Sequence, residues 1–410
     1  MKKQLCATPC IPITIGTVQL CGKKSLIFYL TNELHRVWHR VYTEGIFRLL
    51  HDQRTNQKRR PPLETPSIFY IKMKKTSVIF LAILFIAISC KNGTEKASTV
   101  SETYSTVKTE AQLIEEYLTQ SGDYVNSRQF PSMIKSETVL ESLDSSCHVI
   151  DIRDPEFYAM GHIKGAVNVQ FSDLPAYFET KIKPYEFDKI VIACYHGQRS
   201  SYTTMLLRLM GYGNVYSMRW GMAAWNPEVD CNNPWSELIS SDYSSRLETT
   251  VNPAAPAGDY PSLETEKTTG EEIFKERIAM MFENGFKGFT ISAEEVFENP
   301  DSFYIINYER KDKYEFGHIP RAIRYKPGAT LGIEAEMRTI PKDKNIVVYC
   351  ATGHNSSFVV AYLRLLGYNA QSIRYGNNSF MHDKMIQEKI NLSWEAFTDE
   401  EMLKDFPYVK

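Results

Sequence analysis

The sequence predicts an α/β protein with two homologous domains in tandem, each a parallel β-sheet flanked by helices on both faces. Two segments of the 410-residue chain, 156 residues apart, repeat one pattern of an apolar strand, a cysteine, a glycine and a helix. The first segment contains Cys194 and Gly197, and the second contains Cys350 and Gly353. Short apolar strands that alternate with amphipathic helical stretches favour a parallel sheet covered on both faces. Repetition at a fixed offset indicates that the two halves share one fold.

The same offset extends upstream of the cysteines without a gap. Tyr158 aligns with Tyr314, and Ser136 aligns with Ser292. Each serine is expected to cap a short helix, because a serine hydroxyl accepts a hydrogen bond from the first helical turn. An unbroken alignment of this length indicates two copies of a whole domain.

The domain boundaries follow from the repeat and from the composition of the segments around it. Each domain opens with a predicted helix, over residues 110–120 in the first and 271–284 in the second, and Thr269 with Glu272 forms a capping-box pattern before the latter. The predicted segments are an N-terminal extension over 1–72, a signal peptide over 73–89, a polar tether over 90–107, the first domain over 108–228, a linker over 229–268, the second domain over 269–392 and a C-terminal tail over 393–410.

The segment that begins at Met73 resembles a bacterial lipoprotein signal peptide. Met73 is followed by two lysines, an apolar run over residues 78–88 and a small residue before Cys90. The resemblance implies that Cys90 is lipidated and that the protein is anchored to the bacterial cell envelope, facing the periplasm or the surface. The alternative is an uncleaved membrane anchor, although an apolar run of this length is short for a membrane span.

The charge of the chain is distributed unevenly. Residues 1–72 carry twelve Lys and Arg against four Asp and Glu, whereas residues 90–410 carry a net charge of −12. Because a secretion signal acts from the N-terminus, we interpret residues 1–72 as a gene-start error, with a basic cytoplasmic extension as the alternative. The acidic body is unsuited to nucleic acid, since phosphate contacts require basic side chains. The polar tether cannot bury enough apolar surface to fold alone.

The chemistry is expected at the loop around Cys194. This cysteine follows a buried strand and precedes a helix that we expect to begin near Ser200, and open α/β sheets place their ligand crevices at such strand ends. Backbone N–H groups of the loop and of the helix N-terminus would point at the sulfur and favour a thiolate. Gly197 allows the loop to close tightly. Arg199 adds a planar cation for an anionic substrate.

The first repeat resembles the rhodanese (sulfurtransferase) family. The motifs VIDIR at 149–153, GHI at 161–163, CYHGQRS at 194–200 and GMAAW at 221–225 occur in the order of that family. The resemblance implies that a loop cysteine takes a sulfane sulfur from a donor such as thiosulfate, becomes a persulfide and passes the sulfur to a thiol acceptor. It implies no cofactor, and His and Cys residues with metal-ligand spacing are absent from the sequence, so no metal is expected.

The resemblance also assigns roles to residues. It makes Cys194 the nucleophile, with a substrate cradle formed by Tyr195, His196, Gly197, Gln198 and Arg199. Asp151 and Arg153 are interpreted as a structural pair at the end of the sheet, and His162 as a brace for a turn. His196 either tunes the persulfide or acts as a spacer through its backbone.

Other chemistries remain as alternatives. Four residues separate Cys194 from Arg199, whereas the Cys-x5-Arg loop of phosphatases has five and leaves room for a tetrahedral phosphate. The shorter loop suits a single sulfur atom and argues against a cysteine-dependent phosphatase or an arsenate reductase. A non-catalytic binding or persulfide-carrier module is the other alternative. The sequence identifies neither the physiological donor nor a protein acceptor.

The second repeat keeps the skeleton of the first but changes its polar residues. Asn307 stands where the first repeat has Asp151, Glu309 replaces Arg153, Arg321 replaces Gly165, and Asn355 replaces Arg199. Without the loop cation, an anionic donor is expected to bind poorly at Cys350. We therefore expect a mainly structural or acceptor-docking domain. A sulfur relay from the first cysteine to Cys350, or an independent activity there on another donor, is the alternative. Two-domain members of the family generally carry the reactive cysteine in the C-terminal domain, so this chain inverts the usual order.

Overall fold

The computed structural model describes residues 108–229, 234–332 and 335–410. The predicted extension, signal peptide and tether, with the proposed lipidation site Cys90, lie outside the described residues. Among the helices that are described, none combines the length and the apolar character needed to cross a membrane.

The first domain contains a parallel sheet with five strands within the described residues. The strands are β1 (Met133–Ile134), β2 (Cys147–Asp151), β3 (Val167–Asn168), β4 (Lys189–Ala193) and β5 (Val215–Met218), in the order β1-β5-β4-β2-β3. The helices are α1 (Glu110–Gln120), α2 (Ser136–Ser142), α3 (Pro155–Met160), α4 (Leu174–Thr180) and α5 (Gln198–Leu209). Asp151 at the end of β2 pairs with Ala193 at the end of β4, so both strands end beside the cysteine loop.

The second domain repeats this topology within the described residues. After the linker helix α6 (Pro234–Leu238) come α7 (Gly270–Asn284), β6 (Thr290–Ile291), α8 (Ala293–Glu298), β7 (Phe303–Asn307), α9 (Lys311–Phe316), β8 (Ile323–Arg324), β9 (Asn345–Tyr349), α10 (His354–Leu365) and β10 (Ala370–Ile373). The sheet is parallel with the order β6-β10-β9-β7-β8. Three short helices follow, α11 (His382–Gln387), α12 (Lys389–Leu392) and α13 (Asp399–Met402). The predicted fold class is confirmed.

Side-chain caps begin three of the described helices, and one predicted cap is not observed. Thr109 caps α1 and Thr269 caps α7, as their side chains accept hydrogen bonds from backbone N–H groups three residues on. Ser292 caps α8 in the same way. The prediction that Ser136 caps its helix is wrong, because Lys135 takes the cap position and Ser136 is the first helical residue. Its hydroxyl lies against the Glu137 carboxylate instead.

The two domains share one hydrophobic core. Buried side chains of α5, such as Tyr202 and Leu206, belong to the same cluster as Phe358 and Tyr362 of α10. The linker residue Tyr260 joins this cluster as well. Burial of apolar side chains is the dominant favourable contribution to folding, and a core that both domains share holds the two cysteine loops in a fixed relation.

The segments after each domain are also packed against the fold. The linker runs along the second domain, where Glu248 and His318 form an antiparallel bridge. The chain end returns to the first domain, where Val409 bridges to His162 and the Trp225 Nε1–H donates to the Pro407 carbonyl at 3.0 Å. The C-terminal tail is therefore in contact with both domains.

Candidate active site

The Cys194 loop is shaped by a glycine in the left-handed region. Strand β4 ends at Ala193, and α5 begins at Gln198, two residues before the predicted start. Gly197 occupies the cap position with φ 95° and ψ −19°, a conformation that favours glycine. The expected tight closure of the loop by Gly197 is confirmed. The early helix start brings the N–H groups of the first turn close to the cysteine.

The Cys194 sulfur lies in a cradle of hydrogen-bond donors. The backbone N–H groups of Gly197 and Ser200 each donate to Sγ at 3.2 Å. The Ser200 hydroxyl lies 3.3 Å from the same sulfur and 2.8 Å from the Ser217 hydroxyl. Donors in these positions can stabilise negative charge that develops on the sulfur during a reaction. Ser200 is a site residue that the sequence analysis did not assign, although its position one turn into α5 indicated it.

A pocket of about 480 Å³ opens over Cys194 between the two domains. Side chains of the first domain on its wall are Asp154, Phe157, Tyr195, His196, Gln198 and Arg199. The second domain contributes Phe286, Phe289, Thr290, Arg374 and Tyr375, and the linker helix α6 contributes Leu238. Cys194 itself is 1% exposed and forms part of the pocket floor. A donor that reaches this sulfur would therefore contact both domains.

Arg199 is the cation of the first loop and lies between two aromatic rings. Its guanidinium carbon is 5.1 Å from the centroid of the Tyr195 ring and 5.1 Å from that of the Phe286 ring. Stacking on two aromatic faces orients a guanidinium without neutralising its charge. In the described part of the chain, no carboxylate forms an ion pair with Arg199. Its N–H groups are available for an anion in the pocket.

Tyr195, one of the two rings beside Arg199, is held in place by Asp154. Its hydroxyl donates to Asp154 Oδ2 at 2.8 Å and accepts from the Asp154 backbone N–H at 3.0 Å. Burial, reinforced by the Asp154 carboxylate, raises the pKa of Tyr195 to about 12. The ring therefore stays neutral at physiological pH and its position under Arg199 is fixed.

His196 and Gln198 both contact the second domain. His196 Nδ1 lies 3.0 Å from the Tyr375 hydroxyl, and burial, together with the Arg199 charge, lowers the pKa of His196 to about 3. This imidazole is therefore neutral and supplies no charge for a donor. The Gln198 side chain turns away from the sulfur, and its Oε1 accepts from the Tyr375 backbone N–H at 3.0 Å.

Asp151, Arg153 and His162 form the frame around the loop. Arg153 is fully buried, and its guanidinium donates to the Asp151 carboxylate at 2.7–3.1 Å and to the Gly161 carbonyl at 2.7 Å. The interpretation of this pair as structural is confirmed. His162 stacks on Tyr158 with ring centroids 3.7 Å apart, and its Nδ1 lies 2.9 Å from the Tyr158 carbonyl oxygen, which braces the turn as expected.

The loop around Cys350 has the same shape but different electrostatics. Cys350 is 2% exposed, and its Sγ accepts a hydrogen bond from the Ser356 N–H at 3.4 Å. Glu309, which stands in place of Arg153, accepts a hydrogen bond from the Ala351 N–H behind the loop. Burial, with the Glu309 carboxylate as the next cause, raises the pKa of the Cys350 thiol. This site disfavours a thiolate.

The C-terminal tail packs beside the loop around Cys350. Trp394 lies over the Lys313 ammonium, with the nitrogen 4.6 Å from the ring centroid. The carbonyl of Glu395 shares the Asn378 side-chain amide with the carbonyl of Ala351 in the cysteine loop. The tail therefore lies beside the Cys350 loop, whereas an open pocket lies over Cys194. The position of the tail could not be predicted from the sequence, because the local pattern of residues 393–397 does not indicate which residues they contact.

Known proteins resemble this chain in both repeats. The family model for the rhodanese-like domain matches residues 135–228 and 292–383. The thiosulfate sulfurtransferase GlpE of Pseudoalteromonas translucida is 41% identical over 88 residues, which are 21% of this chain and 80% of that protein.

Two solved structures also match. A rhodanese-like domain from Anabaena is 23% identical, covers 23% of this chain and 74% of its own, and has a TM-score of 0.22. A rhodanese-like domain protein from Staphylococcus aureus is 24% identical, covers 23% of this chain and 91% of its own, and has a TM-score of 0.20. From the matches of the family model and of the curated relative, the chain belongs to the rhodanese-like, sulfurtransferase-related family and carries two such domains in tandem.

Proposed function

We propose that the protein is a sulfurtransferase that moves a sulfane sulfur from thiosulfate, or a similar anionic donor, to a thiol through a persulfide on Cys194. The observation that carries the proposal is the cradle around this sulfur, where two backbone N–H groups donate to Sγ at 3.2 Å beneath an open pocket. Arg199 on the wall of that pocket supplies a cation without an internal carboxylate partner among the described residues. The similarity to a thiosulfate sulfurtransferase supports the choice of donor.

The first half-reaction transfers sulfur to the enzyme. The Cys194 thiolate attacks the outer sulfur of thiosulfate, and a new S–S bond forms. The bond between the two sulfur atoms of thiosulfate breaks, and sulfite leaves with the bonding electron pair. The N–H groups of Gly197 and Ser200 stabilise negative charge on the cysteine and then on the persulfide. Arg199 holds the sulfonate oxygens through charge-assisted hydrogen bonds.

The second half-reaction returns the enzyme to its resting state. An acceptor thiolate attacks the terminal sulfur of the persulfide and forms a new S–S bond. The enzyme S–S bond breaks, Cys194 leaves as a thiolate, and the acceptor carries the sulfur away as its own persulfide. No external oxidant or reductant is required, since each step exchanges one sulfur–sulfur bond for another.

Sulfite release from thiosulfate tests this function. The full chain, supplied with thiosulfate and a small thiol, is expected to release sulfite, and Cys194→Ser should abolish that release because a serine hydroxyl is not ionised at neutral pH. Cys147→Ser is the matched control, since this thiol lies on β2 outside the pocket. Equal sulfite release by the wild type and the Cys194→Ser variant would show that Cys194 is not the sulfur carrier, whereas no release by the wild type would favour the alternative of a binding module.

We also propose a location in the bacterial cell envelope through a lipid on Cys90. The support is the basic, apolar and small-residue pattern of residues 73–90. The native protein should partition into detergent, and Cys90→Ala should shift it to the aqueous phase. A native N-terminal peptide from residues 1–72, found by mass spectrometry, would contradict both the anchor and the interpretation of that segment.

A further inference from the structure

The pocket over Cys194 contains a second arginine, and it belongs to the other domain. Arg374 follows strand β10 directly, and its backbone N–H donates to the Ile291 carbonyl at 3.0 Å. Its side chain is exposed and lies on the wall of the same pocket as Arg199. One cation from each domain therefore lies on the wall of the pocket over Cys194.

The residue after Arg374 ties this position to the cysteine loop. The Tyr375 N–H donates to Gln198 Oε1 at 3.0 Å, and the Tyr375 hydroxyl lies 3.0 Å from His196 Nδ1. Both partners flank Gly197 within the loop. The backbone of Arg374 is thus fixed relative to Cys194, while its long side chain remains free to reach into the pocket.

The repeat supplies an internal comparison for this side chain. Arg219 occupies the matching position in the first domain and forms a salt bridge of 2.7 Å with Glu395 of the C-terminal tail. In the described part of the chain, Arg374 has no side-chain hydrogen bond or ion pair. Beside the second cysteine loop, a carboxylate of the protein itself is bound to the arginine. At the open first site, the matching arginine has no such anion.

We propose that Arg374 is a second anion-binding residue of the Cys194 site, so that the second domain completes the donor site. The inference rests on the proposed function and refines its substrate class to a donor with two negative charges. Arg199 and Arg374 together suit the thiosulfate dianion, since each charge of the ligand then has a cation near it. A thiosulfonate monoanion contains the same reacting S–S bond with one charge fewer. It should therefore depend less on Arg374.

Steady-state kinetics of the full chain with two donors test the proposal. Arg374→Ala should raise KM for thiosulfate by roughly 10-fold and change kcat by less than about 2-fold, because the lost contact is equally strong before and during sulfur transfer. With methanethiosulfonate, a monoanion, the increase in KM should be within about 3-fold. Arg374→Lys should restore part of the loss, since it keeps the charge. The control is Lys287→Ala, which removes an exposed charge from the same domain outside the pocket.

Two results would overturn the proposal. One is a KM for thiosulfate in Arg374→Ala that equals that of Lys287→Ala. The other is an equal increase for the dianion and the monoanion, which would indicate a general disturbance of the pocket.

A binding measurement separates this inference from the proposed function. Calorimetric titration of thiosulfate into the Cys194→Ser chain requires no turnover, and adding Arg374→Ala should weaken the affinity by roughly 10-fold. If the wild type releases no sulfite but this loss of affinity occurs, the proposed function is wrong and the anion site stands. If the wild type releases sulfite and Arg374→Ala changes neither affinity nor KM, the function stands and the assignment of Arg374 is wrong.

Discussion

His354 of the second domain reaches into the cysteine loop of the first, where its Nε2 lies 3.0 Å from the carbonyl oxygen of His196. A Cβ atom on Gly197 would lie 2.4 Å from the same nitrogen. The contact is reciprocal, since a Cβ atom on Gly353 would lie 2.6 Å from Nε2 of Gln198. The two cysteine loops are interlocked, so the shape of the active loop depends on the domain with the altered site.

Gly197→Ala should therefore lower the free energy of unfolding by more than the left-handed backbone conformation alone would cause. Gly211 is the matched control, because its φ is +97°, close to the +95° of Gly197, but no atom lies within 4 Å of a Cβ built there. We expect Gly211→Ala to lower the free energy of unfolding by about 1 to 2 kcal/mol. Gly197→Ala should lower it by about 1 to 3 kcal/mol more, because it must also displace His354. Urea denaturation measures both, and equal losses would contradict the interlock.

Arg199→Asn should convert the first loop into a copy of the second at this position. Loss of a charge-assisted hydrogen bond, worth about 1.5 to 3 kcal/mol, should lower kcat/KM with thiosulfate by roughly 10- to 150-fold. Arg199→Lys should fall between this variant and the wild type, since lysine keeps the charge but lacks the planar fork that stacks on Tyr195 and Phe286. Wild-type kcat/KM in the asparagine variant would show that the donor does not contact this arginine.

Cys350→Ser should have little effect on turnover with thiosulfate. Burial and the Glu309 carboxylate raise the pKa of the Cys350 thiol, and the tail lies against its loop. We expect a change in the rate of sulfite release within about 2-fold, since removing a thiol that takes no part in turnover removes no transition-state stabilisation. The comparison is Cys194→Ser in the same assay. A loss as deep as that of Cys194→Ser would favour a sulfur relay between the two cysteines.

Glu115 should make the stability of the protein depend on pH. This side chain on α1 is 1% exposed, and the Tyr260 hydroxyl beside it lowers the pKa of the carboxyl less than burial raises it. Burial raises the pKa of Glu115 from 4.5 to about 7. The folded state therefore binds this proton more tightly than the unfolded chain, and stability falls as the pH rises from 4.5 through 7.

Glu115→Gln should remove this contribution, because glutamine has the same shape and does not ionise. At pH values above the folded pKa, the variant should be more stable than the wild type by about 2 to 3 kcal/mol, and the difference should shrink on acidification. Denaturation of both proteins between pH 5 and about 8 isolates the Glu115 contribution from those of the buried histidines. A difference that does not vary with pH would show that Glu115 has an ordinary pKa in the folded state.

The sequence predicted those parts of the protein that depend on local patterns. The apolar run before Cys194 and the glycine after it were sufficient to place a strand, a tight loop and a helix. The helix start was placed two residues late, because Gly197 caps the helix through its left-handed backbone and not through a side chain. Ser136 was wrongly predicted to be a cap, because the presence of a serine does not by itself show which residue is the first helical one.

The contribution of the second domain to the active pocket could not be predicted. Phe286 and Arg374 reach Cys194 only because the two domains share a core, and that contact leaves no periodic signal in the sequence. Gln198 was assigned to the cradle because it lies within the loop motif, yet its side chain binds the second domain. The tail that packs beside the Cys350 loop lies outside the repeat, so the comparison of the two copies does not reveal it.

The formation of a persulfide on Cys194 is tested most directly by mass spectrometry. The mass of the full chain is measured after exposure to thiosulfate without an acceptor thiol, and peptide mapping then locates any gain. We expect the peptide containing Cys194 to gain the mass of one sulfur atom, a thiol to remove it, and the Cys194→Ser variant to gain none. A gain confined to the peptide containing Cys350, or no gain on either cysteine while sulfite is released, would contradict the assignment of Cys194 as the sulfur carrier.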